Sequence, residues 1–491
     1  MKRIVLFCPS HKFGGSVQPR IELPLCLLSI ATPLDRAGYT VRIIDQRVES
    51  NWREEFLGEL DRDPICVGIT SMTGPQIRHG LEVSRLAREH GGIPVVWGGI
   101  HPTLLPRQTL ENENIDIVVQ GEGEESFFEL VQALEAGSSL SKVRGIWYKE
   151  DGVINETEPR PPIDLNDQPP LSYHLVDISK YMVGLFGQGH LSFESSRGCR
   201  FRCSFCYNTR VHKSAWRGLT VDETIRRMRI LIDEHGVREF LFSDDNFFGD
   251  KERALGILRR IKAEKLGISI SEIDTHISGT LRLTDSELGL IRDSGCKMLK
   301  VGAESGSPRV LKMIRKGLRT TDLLEFNRRL RGFGLTPFYF LMVGYPTETL
   351  EELSETVSLY LRLMKENDRA AFLLAIFTPF PGTELYDVSV QHGFRAPQEL
   401  EEWVALNPRT ASKDAPWLSE RRRQLIQMLH FATLLAQKNY FRSSFQTTNP
   451  MVDLLARMYR PIAMKRVENL FYKLPVEVKL AEWLGVYPKQ V

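Results

Sequence analysis

The stretch Ser195-Ser196-Arg197-Gly198-Cys199-Arg200-Phe201-Arg202-Cys203-Ser204-Phe205-Cys206-Tyr207-Asn208 carries the most specific chemistry in the chain. It sets three thiols on one loop with the spacing Cys-x3-Cys-x2-Cys. Cysteine thiolates hold iron–sulfur clusters, and three of them on a single loop can ligate three irons of a four-iron cluster. No fourth cysteine lies nearby, so one iron is left open to bind something else. The competing reading is a zinc knuckle, which wants a fourth Cys or His; His212, six residues beyond Cys206, is its best candidate. The context of the loop, directly after a strand that opens a βα repeat, weighs strongly against zinc.

The chain has seven cysteines in 491 residues, an odd and sparse count that excludes a disulfide scaffold. Cys8, Cys26, Cys66 and Cys296 sit on or beside apolar runs and read as buried small hydrophobes.

A cysteine loop needs a frame to hold it. Short runs rich in Val and Ile at 3–8, 40–45, 65–70, 95–98 and 115–119 alternate with helical patterns such as 76–89, where Ile77, Leu81, Val83, Ser84 and Leu86 mark one face. Five strands separated by helices predict a doubly wound, flavodoxin-like α/β domain over 1–142, with ligands outside the carboxyl ends of its strands. Residues 143–187 read as a hairpin turning at Asp151-Gly152, then a linker stiffened by Pro159, Pro161, Pro162, Pro169 and Pro170. A second alternation follows over 188–385, with strands at 191–194, 239–243, 271–275, 298–302, 338–343 and 372–377. Capping-box patterns start helices at Thr220, Thr284 and Thr349, and Gly236 and Gly295 stop them. Six βα repeats suit a partial barrel, two short of a closed one. Residues 386–491 read as a mostly helical unit, notably 420–440 and 451–472.

Composition narrows the partners. Lys and Arg number 64 against 62 Asp and Glu, and a net charge of +2 argues against a dedicated nucleic-acid binder. No apolar run approaches the roughly 18 residues that span a bilayer, and no signal-peptide core follows Met1-Lys2-Arg3, so a cytoplasmic location is expected. Arg457, Arg460, Lys465, Arg466 and Lys473, interleaved with Met458, Tyr459, Ile462, Leu470, Phe471 and Tyr472, form a basic amphipathic stretch. Its favoured reading is a helix packed on its own domain with a solvated face; contact with a membrane surface is the less favoured one.

With these residues in view, 188–385 resembles the radical S-adenosylmethionine (SAM) superfamily, whose signature is this cysteine spacing with an aromatic residue before the third cysteine, here Phe205. The resemblance implies a [4Fe–4S] cluster on Cys199, Cys203 and Cys206, with its open iron chelated by the amino and carboxylate groups of SAM. It also implies an external electron donor of flavodoxin or ferredoxin type, and release of a 5′-deoxyadenosyl radical. Four strand-end clusters fall where family members bind SAM: Asp245 in 244–247 at the amino group, Glu304 and Ser305 in 302–307 near the ribose, Gly344 in 344–349 near adenine, and Pro379 in 378–383. Each alone reads equally well as a turn or cap; in order, at strand ends, they favour ligand contact.

Residues 97–103 and 119–124 resemble the cobalamin-binding domain fused before many radical SAM enzymes. The implied cobalamin neighbours are Thr70, Ser71 and Met72 after the third strand, Gly98, Gly99, His101 and Thr103 after the fourth, and Gly121 and Glu122 after the fifth. Paired glycines let a backbone approach a large flat cofactor closely. The alternative is an empty flavodoxin-like domain that merely packs on the barrel. Asp274-Thr275-His276-Ile277-Ser278-Gly279 spells a cobalt-ligand motif of other cobalamin proteins, but it falls on a barrel strand and reads as coincidence.

The leading expectation is a cobalamin-dependent radical SAM methyltransferase that moves a methyl group to an unactivated carbon of a small, hydrophobic substrate by way of methylcobalamin. Acid–base chemistry cannot make such a carbon a nucleophile at neutral pH, whereas removal of a hydrogen atom bypasses the problem. A non-methylating enzyme of the same architecture, such as an oxidative cyclase acting on a tetrapyrrole, is the second reading. A cobalamin sensor or storage protein is the third. The absence of a second cysteine cluster disfavours the methylthiotransferase relatives. Tyr207, Tyr339 and Tyr345 are candidates to face the cavity.

Overall fold

The N-terminal strands β1 (Arg3–Cys8), β2 (Thr40–Asp45), β3 (Cys66–Thr70), β4 (Val95–Gly98) and β5 (Ile117–Val119) lie in the order β2-β1-β3-β4-β5, all parallel. Their apolar residues run nearly unbroken because helices cover both faces, the pattern of a buried parallel sheet. Ile4 and Leu6 pack on one side; Val5, Phe7, Ile69 and Trp97 pack on the other. The chain order reverses at β1, and the crevice of such a sheet opens at the carboxyl ends beside that point. The computed structural model describes residues 2–11, 21–182, 190–406, 415–438 and 450–483.

The hairpin β6 (Ile146–Glu150) and β7 (Val153–Glu156) turns at Asp151 and Gly152, both at positive φ, as a two-residue primed turn requires. The sequence alone groups this hairpin with the linker that follows it and assigns it to no sheet. Ile146 pairs with Val119, and Ile146 and Tyr148 bury their side chains, so β6 and β7 extend the first sheet to seven strands. The linker is confined to the proline-rich residues that follow.

Six parallel strands form the second unit: β8 (Leu191–Phe193), β11 (Glu239–Phe242), β12 (Ser269–Thr275), β13 (Met298–Glu304), β14 (Thr336–Val343) and β15 (Ala371–Ile376), in that spatial order. Thr284 and Thr349 make reciprocal capping boxes with Glu287 and Glu352, while Thr220 caps from one side only. Between β8 and β11 lies an unforeseen antiparallel ribbon, β9 (Ser196–Gly198) with β10 (Trp216–Gly218). Three residues a side, without apolar alternation, leave no period for a sequence to show. The ribbon brackets the cysteine loop at both ends.

A partial barrel leaves an open edge at β15. The helix Glu420–Ala436 covers it, and two side chains replace the missing strand. The Phe372 N–H donates to Gln437 Oε1 at 2.8 Å, and Gln437 Nε2 donates back to the Phe372 carbonyl at 2.9 Å. His430 Nδ1 lies 2.6 Å from the Leu374 carbonyl.

The C-terminal region is not one independent unit. Phe394, Leu400, Trp403 and Leu406 join the core of the N-terminal domain, where Trp403 Nε1 donates to Gln108 Oε1 at 2.6 Å. The later helices pack on the barrel. This region therefore ties the two sheets together. The end of the expected helix near Tyr440 lies outside the described residues.

Candidate active site

The cysteine loop is held by the two carboxylates, Asp244 and Asp245, that follow β11. Asp244 accepts from Ser195 N at 2.6 Å, Ser195 Oγ at 2.5 Å and Ser196 N at 2.9 Å, and Asp245 Oδ2 accepts from Gly198 N at 2.9 Å. Burial pushes the Asp244 carboxyl up to about 6, against the pull of Arg253 and its three donors. Farther along, Ser204 N donates to the Ile314 carbonyl and Leu385 N to the Ser204 carbonyl, both at 3.0 Å. Cys203 is buried; Cys199 and Cys206 are half-buried. Burial raises all three thiols, Cys206 to about 12, and metal ligation is what favours the thiolate at such a site.

The three cysteines line one cavity of about 340 Å³ at the carboxyl ends of β11–β15. His212 lines a different cavity, so it does not complete a zinc site with them. Among the described residues, no three His, Cys, Asp or Glu side chains converge as a single bound metal ion would need. A trio on one loop without a fourth thiol fits a four-iron cluster with one open iron.

Glu304, Phe205 and Asp245 line this cavity too. Glu304 ends β13 at φ +59°, and its carboxylate meets the Lys316 ammonium at 2.8 Å with both side chains buried. A Cβ at Gly302 would run into both groups, so glycine there lets the pair lie against the strand. Burial opposes the charge on Lys316, yet Glu304 and the neighbouring Cys203 and Cys206 hold its ammonium above the usual range. Ser305, Gly344 and Pro379 do not reach the cavity. Ser305 Oγ bonds Thr356 Oγ1 at 3.0 Å; Gly344 takes Trp417 Nε1 on its carbonyl at 2.9 Å beneath the C-terminal segment; Pro379 is buried. Their polar or turn-forming character serves packing here.

Sequence reasoning passed over several residues of this cavity. His276 stacks on Phe201 with ring centroids 3.4 Å apart and 13° from parallel, and the Asp274-Thr275-His276 run lines the cysteine cavity. Lys300 bridges Glu272 at 2.8 Å and Asp274 at 2.9 Å, with its ammonium over the Phe340 ring. The signal was available: Glu272 and Asp274 are two apart on a strand, hence on one face, and Lys300 pairs in register with Asp274.

The second cavity, about 320 Å³, lies between the domains. Thr70, Gly98, Gly99, Thr103, Gly121 and Glu122 line it from the first sheet. Gly99, at φ +96°, sits where a Cβ would fall 2.8 Å from Thr70 Oγ1 and 2.9 Å from the Ser71 carbonyl. Gly121 leaves open space above the backbone, and a Cβ at Gly98 would make only ordinary contact with the Val119 carbonyl, a surface suited to a flat ring. Cys26 lines this crevice rather than lying buried as the sequence suggested, with Sγ 3.7 Å from Thr70 Oγ1. Glu122 receives Arg217 at 2.7 Å and Arg197 at 3.4 Å from the barrel, and despite burial these cations hold its carboxyl below the ordinary range. Arg197 also binds Glu124 at 2.6 Å, which locks the domains together just ahead of Cys199.

Ser71, Met72 and His101 do not line the crevice. Ser71 is fully buried, Met72 is 54% exposed, and His101 turns inward against Trp403, with ring centroids 5.6 Å apart. Burial lowers the His101 imidazole to about 3, and burial with the nearby Lys316 lowers His276 to about 3. A depressed histidine stabilises the fold above its unfolded value near 6.5, and that stability drains away as pH falls below it, by about 1.4 kcal/mol per unit for each ring. The melting temperature is therefore expected to drop steadily from pH 7 to pH 5. His101→Gln should shrink that slope; an unchanged slope would refute the assignment.

Tyr207 and Asp245 line both cavities. Of the other tyrosines, Tyr339 is buried in the core with its hydroxyl 3.2 Å from Asn327 Oδ1, and Tyr345 is fully buried.

Family models match at both sites: the radical SAM superfamily over residues 193–360 and the B12 binding domain over 18–131. An uncharacterised methyltransferase of Pyrococcus horikoshii is 32% identical over 450 residues, covering 91% of this chain and 95% of its own. The anaerobic magnesium-protoporphyrin IX monomethyl ester cyclase of Synechocystis is also 32% identical, covering 67% of this chain and 66% of its own. Among solved structures, the cobalamin-dependent S-adenosylmethionine radical enzyme OxsB, with aqua-cobalamin and S-adenosylmethionine bound, superposes with a TM-score of 0.75 at 17% identity over 99% of this chain and 75% of its own.

Proposed function

The chain belongs to the cobalamin-dependent radical SAM enzymes, whose cofactors are a [4Fe–4S] cluster, SAM and cobalamin, and from that premise we propose that it methylates an unactivated carbon. The observation that carries the reading is the shared wall: the crevice lined by the strand-end glycines meets the cysteine cavity at Tyr207 and Asp245. Cluster and SAM together supply a carbon-centred radical that takes a hydrogen atom, and cobalamin supplies the methyl group.

The chain's own residues bind and orient. Cys199, Cys203 and Cys206 would hold the cluster, and Asp245, fixed by the Gly198 N–H, and Glu304, fixed by Lys316, would offer acceptors to SAM in the same cavity. Thr70, Gly98, Gly99, Thr103, Gly121 and Glu122 would cradle cobalamin, with the Arg197 and Arg217 ion pairs to Glu122 fixing the N-terminal domain against the cysteine loop. Phe340, Leu341, Met342 and Ala375 give the substrate an apolar wall that excludes water, beside the polar edge of Asp274 and Lys300.

Methyl transfer is favoured because the methyltransferase relative matches nearly the whole chain, including the C-terminal region, while the cyclase matches two thirds. The cyclase's equal identity keeps a non-methylating reaction as the second reading. The binding-only alternative gives way to an enzyme. Turnover with SAM carrying a deuterated methyl group is expected to give product three mass units heavier than the unlabelled methylated product. Product that has lost hydrogens and gained no label would overturn methylation in favour of cyclisation.

A further inference from the structure

We propose that the outer face of the C-terminal helices is a docking surface for an anionic lipid bilayer, a property independent of the methyl-transfer reading. The helix Pro450–Glu468 packs on Glu420–Ala436 through small side chains: Ala456 and Ala463 meet Leu435 and Ala436. Small residues bring the helices close and leave the bulky ones outside. Leu454, Met458 and Ile462, four residues apart and hence on one face, are 57%, 67% and 53% exposed. The sequence reading expected a solvated face here; the structure puts apolar side chains on it. Beyond the helix, Phe471, Leu474 and Val476 are exposed as well.

This concentration is unusual for the molecule. Among the described residues, ten large hydrophobics are exposed, and these six lie within one stretch of the chain. The stretch is held in place rather than loose. Arg466 donates to the carbonyls of Lys473 at 3.2 Å and Leu474 at 2.9 Å, and its ion pair with buried Glu477 at 2.7 Å fastens the next helix. The segment that carries Phe471, Leu474 and Val476 is therefore fastened to the helix that carries Leu454, Met458 and Ile462.

Charge selects the occupant. Arg457, Lys465, Lys473 and Lys479 are exposed along the same stretch, against Glu468 as the exposed acid among its described side chains. Protein interfaces deplete lysine around their apolar centres. Bulky apolar residues flanked by Lys and Arg are instead the pattern of helices lying in the headgroup layer of an anionic membrane. Among the described residues no helix is long and apolar enough to cross a membrane, so the contact is with its surface.

The test uses the full-length protein and sedimentation with vesicles of phosphatidylcholine alone or with phosphatidylglycerol as roughly a third of the lipid. Partition onto the anionic vesicles is expected to exceed the neutral ones about tenfold and to fall toward the neutral level at about 0.5 M salt. Met458→Glu with Ile462→Glu should cut partition roughly tenfold or more, and Lys465→Glu with Lys473→Glu should remove the preference for anionic lipid. Both sites are exposed, so melting temperature and SAM cleavage should match the parent. Equal sedimentation with and without anionic lipid, or full partition by the Met458/Ile462 variant, overturns the proposal. So does a lipid-free dimer that this variant dissolves, which would make a second copy the occupant. Vesicle binding is read without turnover, so failure of the labelled-methyl experiment would leave this result standing.

Discussion

Replacing any one of Cys199, Cys203 or Cys206 with alanine is expected to reduce iron to below about one atom per chain and SAM cleavage by at least about a thousandfold. The argument rests on ligand count. A four-iron cluster here has three thiolates to hold it; removing one leaves two irons without protein ligands, in a cavity that offers no other cysteine. His212 cannot substitute, because it faces the crevice on the other side of the loop. The loop itself should survive, since backbone bonds at Ser204, Leu385 and Cys206 and the Asp244 and Asp245 anchors hold it, none of which uses a thiol. Melting temperature of the metal-free protein should then shift little, which separates loss of the cluster from loss of the fold. Iron and sulfide assays on anaerobically reconstituted variants give the direct reading. Unchanged metal content and cleavage in any single variant would end the cluster assignment.

What the sequence revealed follows from which interactions are local. The strands, the caps at Thr284 and Thr349 and the cysteine loop each depend on neighbours a few residues away, so their patterns survive in one dimension. That Glu304, Asp245 and the strand-end glycines line cavities was legible because a βα fold opens its crevices at the carboxyl ends of its strands. The misses share a cause in long-range contacts. His101 looks like a cofactor neighbour until Trp403, some three hundred residues later, covers it. Ser305 looks like a ligand contact until Thr356 takes its hydroxyl. Lys316 carried no local signal, since its partner, Glu304, lies across a helical turn and a loop. The same holds for the joint between the cavities: Tyr207 and Asp245 are unremarkable apart, the barrel fold brings them to one wall, and the N-terminal sheet closes the second cavity against it.

Lys316→Met is expected to cost about 3–5 kcal/mol of stability and to reduce SAM cleavage by at least about a hundredfold. The change removes one partner of a buried ion pair and leaves the Glu304 carboxylate uncompensated in a cavity wall where both side chains are under 10% exposed. Glu304 is also held in a left-handed backbone conformation at φ +59°, an arrangement that persists only while its surroundings fix it. Glu304→Gln should be milder, because Lys316 retains Cys203 and Cys206 beside it and its ammonium is stabilised further when those thiols are ionised. That asymmetry distinguishes an electrostatic role from simple packing, which would make the two changes comparable. Combining them should restore part of the stability lost in Lys316→Met, since the double variant leaves no unpaired charge; a coupling of order 2–3 kcal/mol is expected from the cycle. On the proposed reading cleavage should not return with it, because the charged carboxylate that Glu304 would offer to SAM is gone. Denaturant melts of the four proteins with a 5′-deoxyadenosine assay resolve the two effects. Additive losses, or wild-type cleavage by Lys316→Met, would show that Lys316 does not position Glu304.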